Sequence, residues 1–124
     1  MGRVLIVEDN ELNLKLFCDL LIIQNHEVIM SRDGLNIIEI VTKQKPDLIL
    51  MDIQLNGVSG MDLIRSLKKN LETKKIPIIA VTAFAMKNDE AKISESGCDF
   101  YISKPVSVDH FFSTVKRFIE GNEI

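Results

Sequence analysis

The sequence predicts a doubly wound α/β domain, one open parallel sheet of five strands with helices on both faces. Three observations predict it. Five short apolar runs recur along 124 residues, each bounded by polar, glycine or proline residues. The segments between them carry helical spacing. Most of the runs lack the alternation of a half-exposed strand, as expected of a parallel sheet covered on both sides.

The strands are read at Val4 to Val7, Val28 to Met30, Leu48 to Met51, Ile78 to Val81 and Phe100 to Ile102. The first helix shows Leu16, Phe17, Leu20 and Leu21 on one face, with Asn10 as its cap. Leu35, Ile38 and Val41 mark the second, and Met61, Ile64, Leu67 and Leu71 the third. From Phe84 to Ser96 the stripe thins to Met86 and Ile93, so this fourth helix is expected to be short and loosely held, with Gly97 at a left-handed end. The fifth is clear, with Val108, Phe111, Phe112, Val115 and Ile119 after a Ser107 cap. Strand followed by helix, five times over, folds into one sheet. Residues 1–124 are expected to be a single domain with no output domain, as no linker or repeat interrupts them.

Bulk properties narrow the function. A formal charge of -3 offers no basic excess to release counterions from nucleic acid, so no nucleic-acid partner is expected. Cys18 and Cys98 form no CxxC pair, and the apolar start VLIV meets acid after four residues, too short for a membrane span. A cytoplasmic protein without membrane insertion is expected, with both thiols reduced. His26 and His110 have no ligand partner at metal-binding spacing and receive no chemistry.

Chemistry gathers where the strands end, because the carboxyl edge of such a sheet forms its ligand crevice. Glu8 and Asp9 follow the first strand, Asp52 the third, Thr82 the fourth, and Ser103, Lys104 and Pro105 the fifth. Clustered carboxylates repel unless a cation shares the site, and oxygen ligands suit Mg²⁺, for which Mn²⁺ can substitute. Asp9 and Asp52 are read as direct ligands, Glu8 as one through water, and the Gln54 backbone carbonyl as a neutral one. A carboxylate can attack phosphorus if the charge on the equatorial oxygens is neutralised. Metal and Lys104 would do that, Thr82 would donate a hydrogen bond, and a cis Lys104-Pro105 bond would aim the lysine inward.

The plainer readings are that Glu8 and Asp9 only favour a helix start, that Thr82 is a turn residue, that Lys104 is solvated, and that Tyr101 half-buries its ring at an edge. The acids coincide at separate strand ends, which favours the site. Competing functions are weaker: a haloacid dehalogenase-type phosphatase wants a second acid where Gln54 stands, and a flavin module cradles phosphate with N–H groups rather than VEDNE. A partner-binding domain with a dead site is disfavoured by the full set Glu8, Asp9, Asp52, Thr82 and Lys104.

VLIVEDNE, PDLILMDIQL, VSGMD, IIAVTAFA and YISKP together resemble the receiver domain of two-component response regulators, from about Arg3 to Ile119. The resemblance implies strand order 2-1-3-4-5, and phosphorylation of Asp52 from a histidine kinase or histidine phosphotransfer protein. It implies a switch in which Thr82 is drawn inward and Tyr101 turns toward the space it vacates. VEDNELN, LILMDIQL, VTAFAMK and GCDFYISKPVSV are most similar to lone receivers of bacterial cell-cycle control. Such a protein is a phosphoacceptor rather than an enzyme, a monomer or weak dimer. Its signal is expected to leave by protein contact through the last two helices and the fifth strand, including Met86, Tyr101, Phe111 and Phe112. One departure stands out: Asn56-Gly57 replaces the proline that normally follows Leu55, which loosens the loop after the phosphoacceptor.

Overall fold

The structure is a computed structural model that describes residues 2–55, 57–83 and 87–120. Asn56 and Met86 therefore lie outside the described residues. Five strands form one parallel sheet: β1 (Arg3–Val7), β2 (Glu27–Ser31), β3 (Leu48–Asp52), β6 (Ile78–Thr82) and β7 (Phe100–Ser103). Two further strands, β4 (Gln54–Leu55) and β5 (Val58–Ser59), make a short antiparallel hairpin that the sequence reading did not contain. In the sheet the order is β2-β1-β3-β6-β7, which is 2-1-3-4-5 when only its own strands are counted.

The unbroken apolar runs follow from coverage on both faces. Val4, Ile6, Leu48, Leu50, Ile79, Val81 and Ile102 point to one side, where α1 (Glu11–Ile23) and α5 (Val108–Ile119) bring Phe17, Leu21, Phe111 and Val115. Leu5, Val7, Ile49, Met51, Ile78 and Ala80 point to the other, against α2 (Ile37–Gln44), α3 (Gly60–Lys69) and α4 (Lys87–Glu95). Alternate residues serve opposite cores, so neither face can be polar. The rings of Phe17 and Phe111 stack at 5.5 Å and tie α1 to α5.

Helix starts follow the chemistry of the cap. Asn10, Ser59 and Ser107 each accept a hydrogen bond from the amide three residues on. Ser59→Ala is expected to cost about 1 kcal/mol of unfolding free energy in a urea titration, the usual worth of such a cap. Gly97 takes φ +96°, as its place after α4 requires.

Several helical assignments differ from the sequence reading. In α1 the inward stripe is Leu14, Phe17, Leu20 and Leu21, while Leu16 faces out. Leu35 lies in the turn before α2, where left-handed Asn36 sends it to solvent and Ile37 takes the core place. Leu71 falls beyond the end of α3 and is 78% exposed. Leu12, Leu16, Ile22 and Ile23 of α1, with Met30 of the edge strand β2, make the outer side of α1 unusually apolar. Phe111, expected on the docking surface where exposed, is core, and Phe112 is half-buried against the same cluster. Among the described side chains of α4, only Ile93 is buried.

Candidate phosphoacceptor site

Parallel strands deliver their carboxyl ends to one edge, and the sequence places a charged or hydroxyl residue at each central end. Glu8 follows β1 and is fixed there by its own amide, which donates to the Ser31 carbonyl at 3.0 Å. Asp52 closes β3 and Thr82 closes β6. Lys104 follows β7, its amide donating to the Thr82 carbonyl at 2.7 Å, and its bond to Pro105 is cis.

The side chains converge. Glu8, Asp9 and Asp52 each offer a carboxylate oxygen within 4.8 Å of the others. Lys104 Nζ lies 3.3 Å from Glu8 Oε1 and 3.3 Å from Asp52 Oδ2, so one ammonium serves two carboxylates. Glu8, Asp52 and Thr82 are buried, at 1%, 3% and 1% exposure. The Gln54 amide donates to Asp52 Oδ1 at 2.9 Å, and the Asn10 amide to Glu8 Oε2 at 3.2 Å.

Charge does not balance within this cluster. Burial first, and then Asp52, push the Glu8 carboxyl from an ordinary 4.5 up to about 7, with Lys104 and the Asn10 amide pulling the other way. Glu8 Oε1 is also buried without a hydrogen-bond partner among the described residues, the Lys104 ammonium at 3.3 Å being the one cation that pairs with it there. An orphaned carboxylate oxygen, and three carboxylates that share a single ammonium and so stand two positive charges short of neutrality when ionised, fit a hard divalent cation, which supplies the missing charge to oxygen ligands.

The sign of the pH dependence follows. Without divalent cation, folded Glu8 holds its proton up to about pH 7 whereas the unfolded chain releases it near 4.5. The folded state then binds more protons, and stability falls as pH rises through that window. A cation displaces the proton, so the melting temperature is expected to gain more from Mg²⁺ at pH 8 than at pH 5.5. Glu8→Gln should flatten the difference in a thermal-melt series.

Gln54 does more than its backbone was expected to do. Its side-chain oxygen accepts the Ala83 amide at 3.1 Å, tying the loop after β3 to the end of β6. No motif marks such a contact, as it depends on the packing of two loops. Tyr101 stands on β7 opposite Ala80, half-buried against the core on the α3 side. His26 accepts the Gly2 amide at Nδ1, and His110 lies against Phe100.

Residues 4–116 match the family model described as response regulator receiver domain. Over 116 residues, 94% of each chain, the protein is 53% identical to the polar-differentiation response regulator DivK of Brucella anthropi, and equally so to that of Brucella ovis. Among solved structures it resembles the receiver domain of a sensor histidine kinase from Pseudomonas aeruginosa with magnesium coordinated in its active-site cleft, at TM-score 0.88 and 28% identity, over 97% of this chain and 98% of that one. The receiver domain of a signal transduction histidine kinase from Syntrophus aciditrophicus superposes at TM-score 0.90 and 28% identity, over 99% and 93% of the two chains. None of the described helices is long and apolar enough to cross a membrane. With fold, strand-end chemistry and sequence in agreement over nearly the whole chain, the protein belongs to the family of response regulator receiver domains.

Proposed function

We propose that Asp52 accepts a phosphoryl group from the phosphohistidine of a histidine kinase or histidine phosphotransfer protein, and that the product changes which proteins this domain binds. The observation that carries the reading is the convergence of Glu8, Asp9 and Asp52 with Lys104 bridging two of them.

An Asp52 oxygen attacks phosphorus, the P–N bond to the donor imidazole breaks, and the histidine leaves. The Gln54 amide holds Oδ1 and Lys104 faces Oδ2, which fixes the carboxylate before the donor arrives. Lys104 then follows the transferred oxygens, and the buried Thr82 hydroxyl donates to one of them. Asp9, Asp52 and the Gln54 carbonyl would hold Mg²⁺, with Glu8 acting through water and Mn²⁺ able to substitute. When bound, the metal neutralises charge on the phosphoryl oxygens. The related Pseudomonas aeruginosa receiver, with magnesium coordinated in its active-site cleft, supports magnesium as the ion.

Gln54 stands where a phosphatase would keep its second acid, so the domain is a signalling phosphoacceptor and does not turn over outside substrates. Residues 1–124 form one receiver domain that acts in the cytoplasm as a monomer or weak dimer, binding neither nucleic acid nor the membrane interior. Thr82 and Tyr101 form the switch, and α4, β7 and α5 carry the signal to a downstream protein. Similarity to regulators of polar differentiation supports reading that signal as one of bacterial cell-cycle or division control.

The test is incubation with acetyl phosphate and Mg²⁺, read by intact mass. Gain of one phosphoryl group that disappears when the metal is chelated supports the reading. A protein that stays unmodified, while a known receiver in the same buffer is labelled, overturns it.

A further inference from the structure

We propose that Gly60, outside the charged cluster, is a positioning residue that sets where the Asp52 carboxylate sits, an inference that rests on the phosphoacceptor reading above. Gly60 is the first residue of α3, directly after the Ser59 cap, and is buried. A methyl group placed on it would lie within 3.0 Å of both the Asp52 carbonyl oxygen and Ile53 Cα. Both are backbone atoms, so no side-chain rotation relieves the clash.

Neither partner in this contact can withdraw easily. On its far side the Asp52 backbone is in register with Val81 of β6, and the Ile53 amide donates to the Val81 carbonyl at 3.1 Å. The helix is held by Ile64 and Leu67, both at 0% exposure in the core. The phosphoacceptor peptide is therefore gripped between a strand and a helix start, with room for hydrogen alone at residue 60. A larger residue must push the Asp52 peptide, and the carboxylate moves with it. Its contacts with the Gln54 amide at 2.9 Å and with Lys104 at 3.3 Å leave little slack. A misplacement near 1 Å is enough to cost about a hundredfold in such chemistry.

Gly34 supplies the matched comparison. It is also buried, with φ +74°, and a methyl there would lie within 3.0 Å of Leu63 Cδ1, the free end of a side chain. Gly34→Ala strains the backbone without touching Asp52.

The experiment takes the full chain as wild type, Gly60→Ala and Gly34→Ala. It measures melting temperature, Mg²⁺ affinity by calorimetry and phosphorylation rate with acetyl phosphate. Gly60→Ala is expected to stay folded, weaken Mg²⁺ by roughly tenfold and slow phosphorylation by about a hundredfold. Gly34→Ala should lose melting temperature yet keep both activities within about twofold of wild type. Retained affinity and rate in Gly60→Ala overturn the proposal, as does a Gly34→Ala variant that loses them in step with its stability. A Gly60→Ala chain unfolded at the assay temperature overturns it too, since that residue would then serve the fold and not the site. Wild type that binds no Mg²⁺ sinks the metal-site reading first and this inference with it, a result distinct from the others.

Discussion

Asp52→Asn is expected to leave no detectable phosphorylation and, in the same protein, to raise the melting temperature measured without divalent cation. The first effect is chemical. An amide nitrogen or oxygen at this position is no nucleophile for phosphorus, and loss of a nucleophile lowers such rates by ~10³-fold or more. The second is electrostatic. Asp52 and Glu8 are buried together, and Asp52 is, after burial, the main reason that the Glu8 carboxyl stands near 7. With asparagine the repulsion goes, Lys104 keeps Glu8 as its counter-charge, and Glu8 moves back toward its ordinary range without reaching it, as its burial persists. Shape is nearly unchanged, so the gain is not offset by a cavity. Intact mass after acetyl phosphate and Mg²⁺ reads the first effect and a thermal melt the second. A phosphoryl group that survives the substitution would place the acceptor on another residue. A fall in melting temperature would mean that Lys104 depends on Asp52 more than Glu8 is harmed by it.

Much of this site was legible in the sequence because a parallel sheet turns a linear fact into a spatial one. Once the strands are found, their last residues must share an edge, and Glu8, Asp52, Thr82 and Lys104 needed no further information. The strands themselves were legible because both faces of the sheet are covered, as the split of Val4 and Ile6 from Leu5 and Val7 between two cores shows. Helices were less so. Leu16, Leu35 and Leu71 fit an apolar stripe by spacing but are exposed, since spacing gives a face and not the points at which a helix starts and stops. The β4–β5 hairpin has two residues per strand and no periodicity to read. The Gln54–Ala83 hydrogen bond and the pressure of Gly60 on Asp52 were illegible for another reason: each joins residues that only the finished packing brings together.

Lys104→Met should slow phosphorylation by about 10²- to 10³-fold, the usual loss when one donor to a developing oxyanion is removed. Its effect on stability is expected to depend on pH. The ammonium stands 3.3 Å from both Glu8 and Asp52 with only 18% of its side chain exposed, so removal leaves two buried carboxylates facing each other. Breaking a buried pair in this way costs about 3–5 kcal/mol when the stranded group stays charged. Glu8 can escape that cost by keeping its proton. Lys104 is one of the influences that hold its carboxyl down, so without the lysine it rises beyond about 7. Near pH 5 folded Glu8 is already neutral in both proteins and the variant should lose little. Toward pH 8 wild-type Glu8 is ionised, the variant's is not fully so, and the gap in stability widens. Urea unfolding at both pH values, with and without Mg²⁺, separates this from lost packing of the lysine stem. The cation should restore more stability to the variant than to wild type at pH 8, because it takes over the charge that Lys104 had supplied. Equal losses at the two pH values, unaffected by Mg²⁺, would show that the aliphatic chain matters at this position and the ammonium does not.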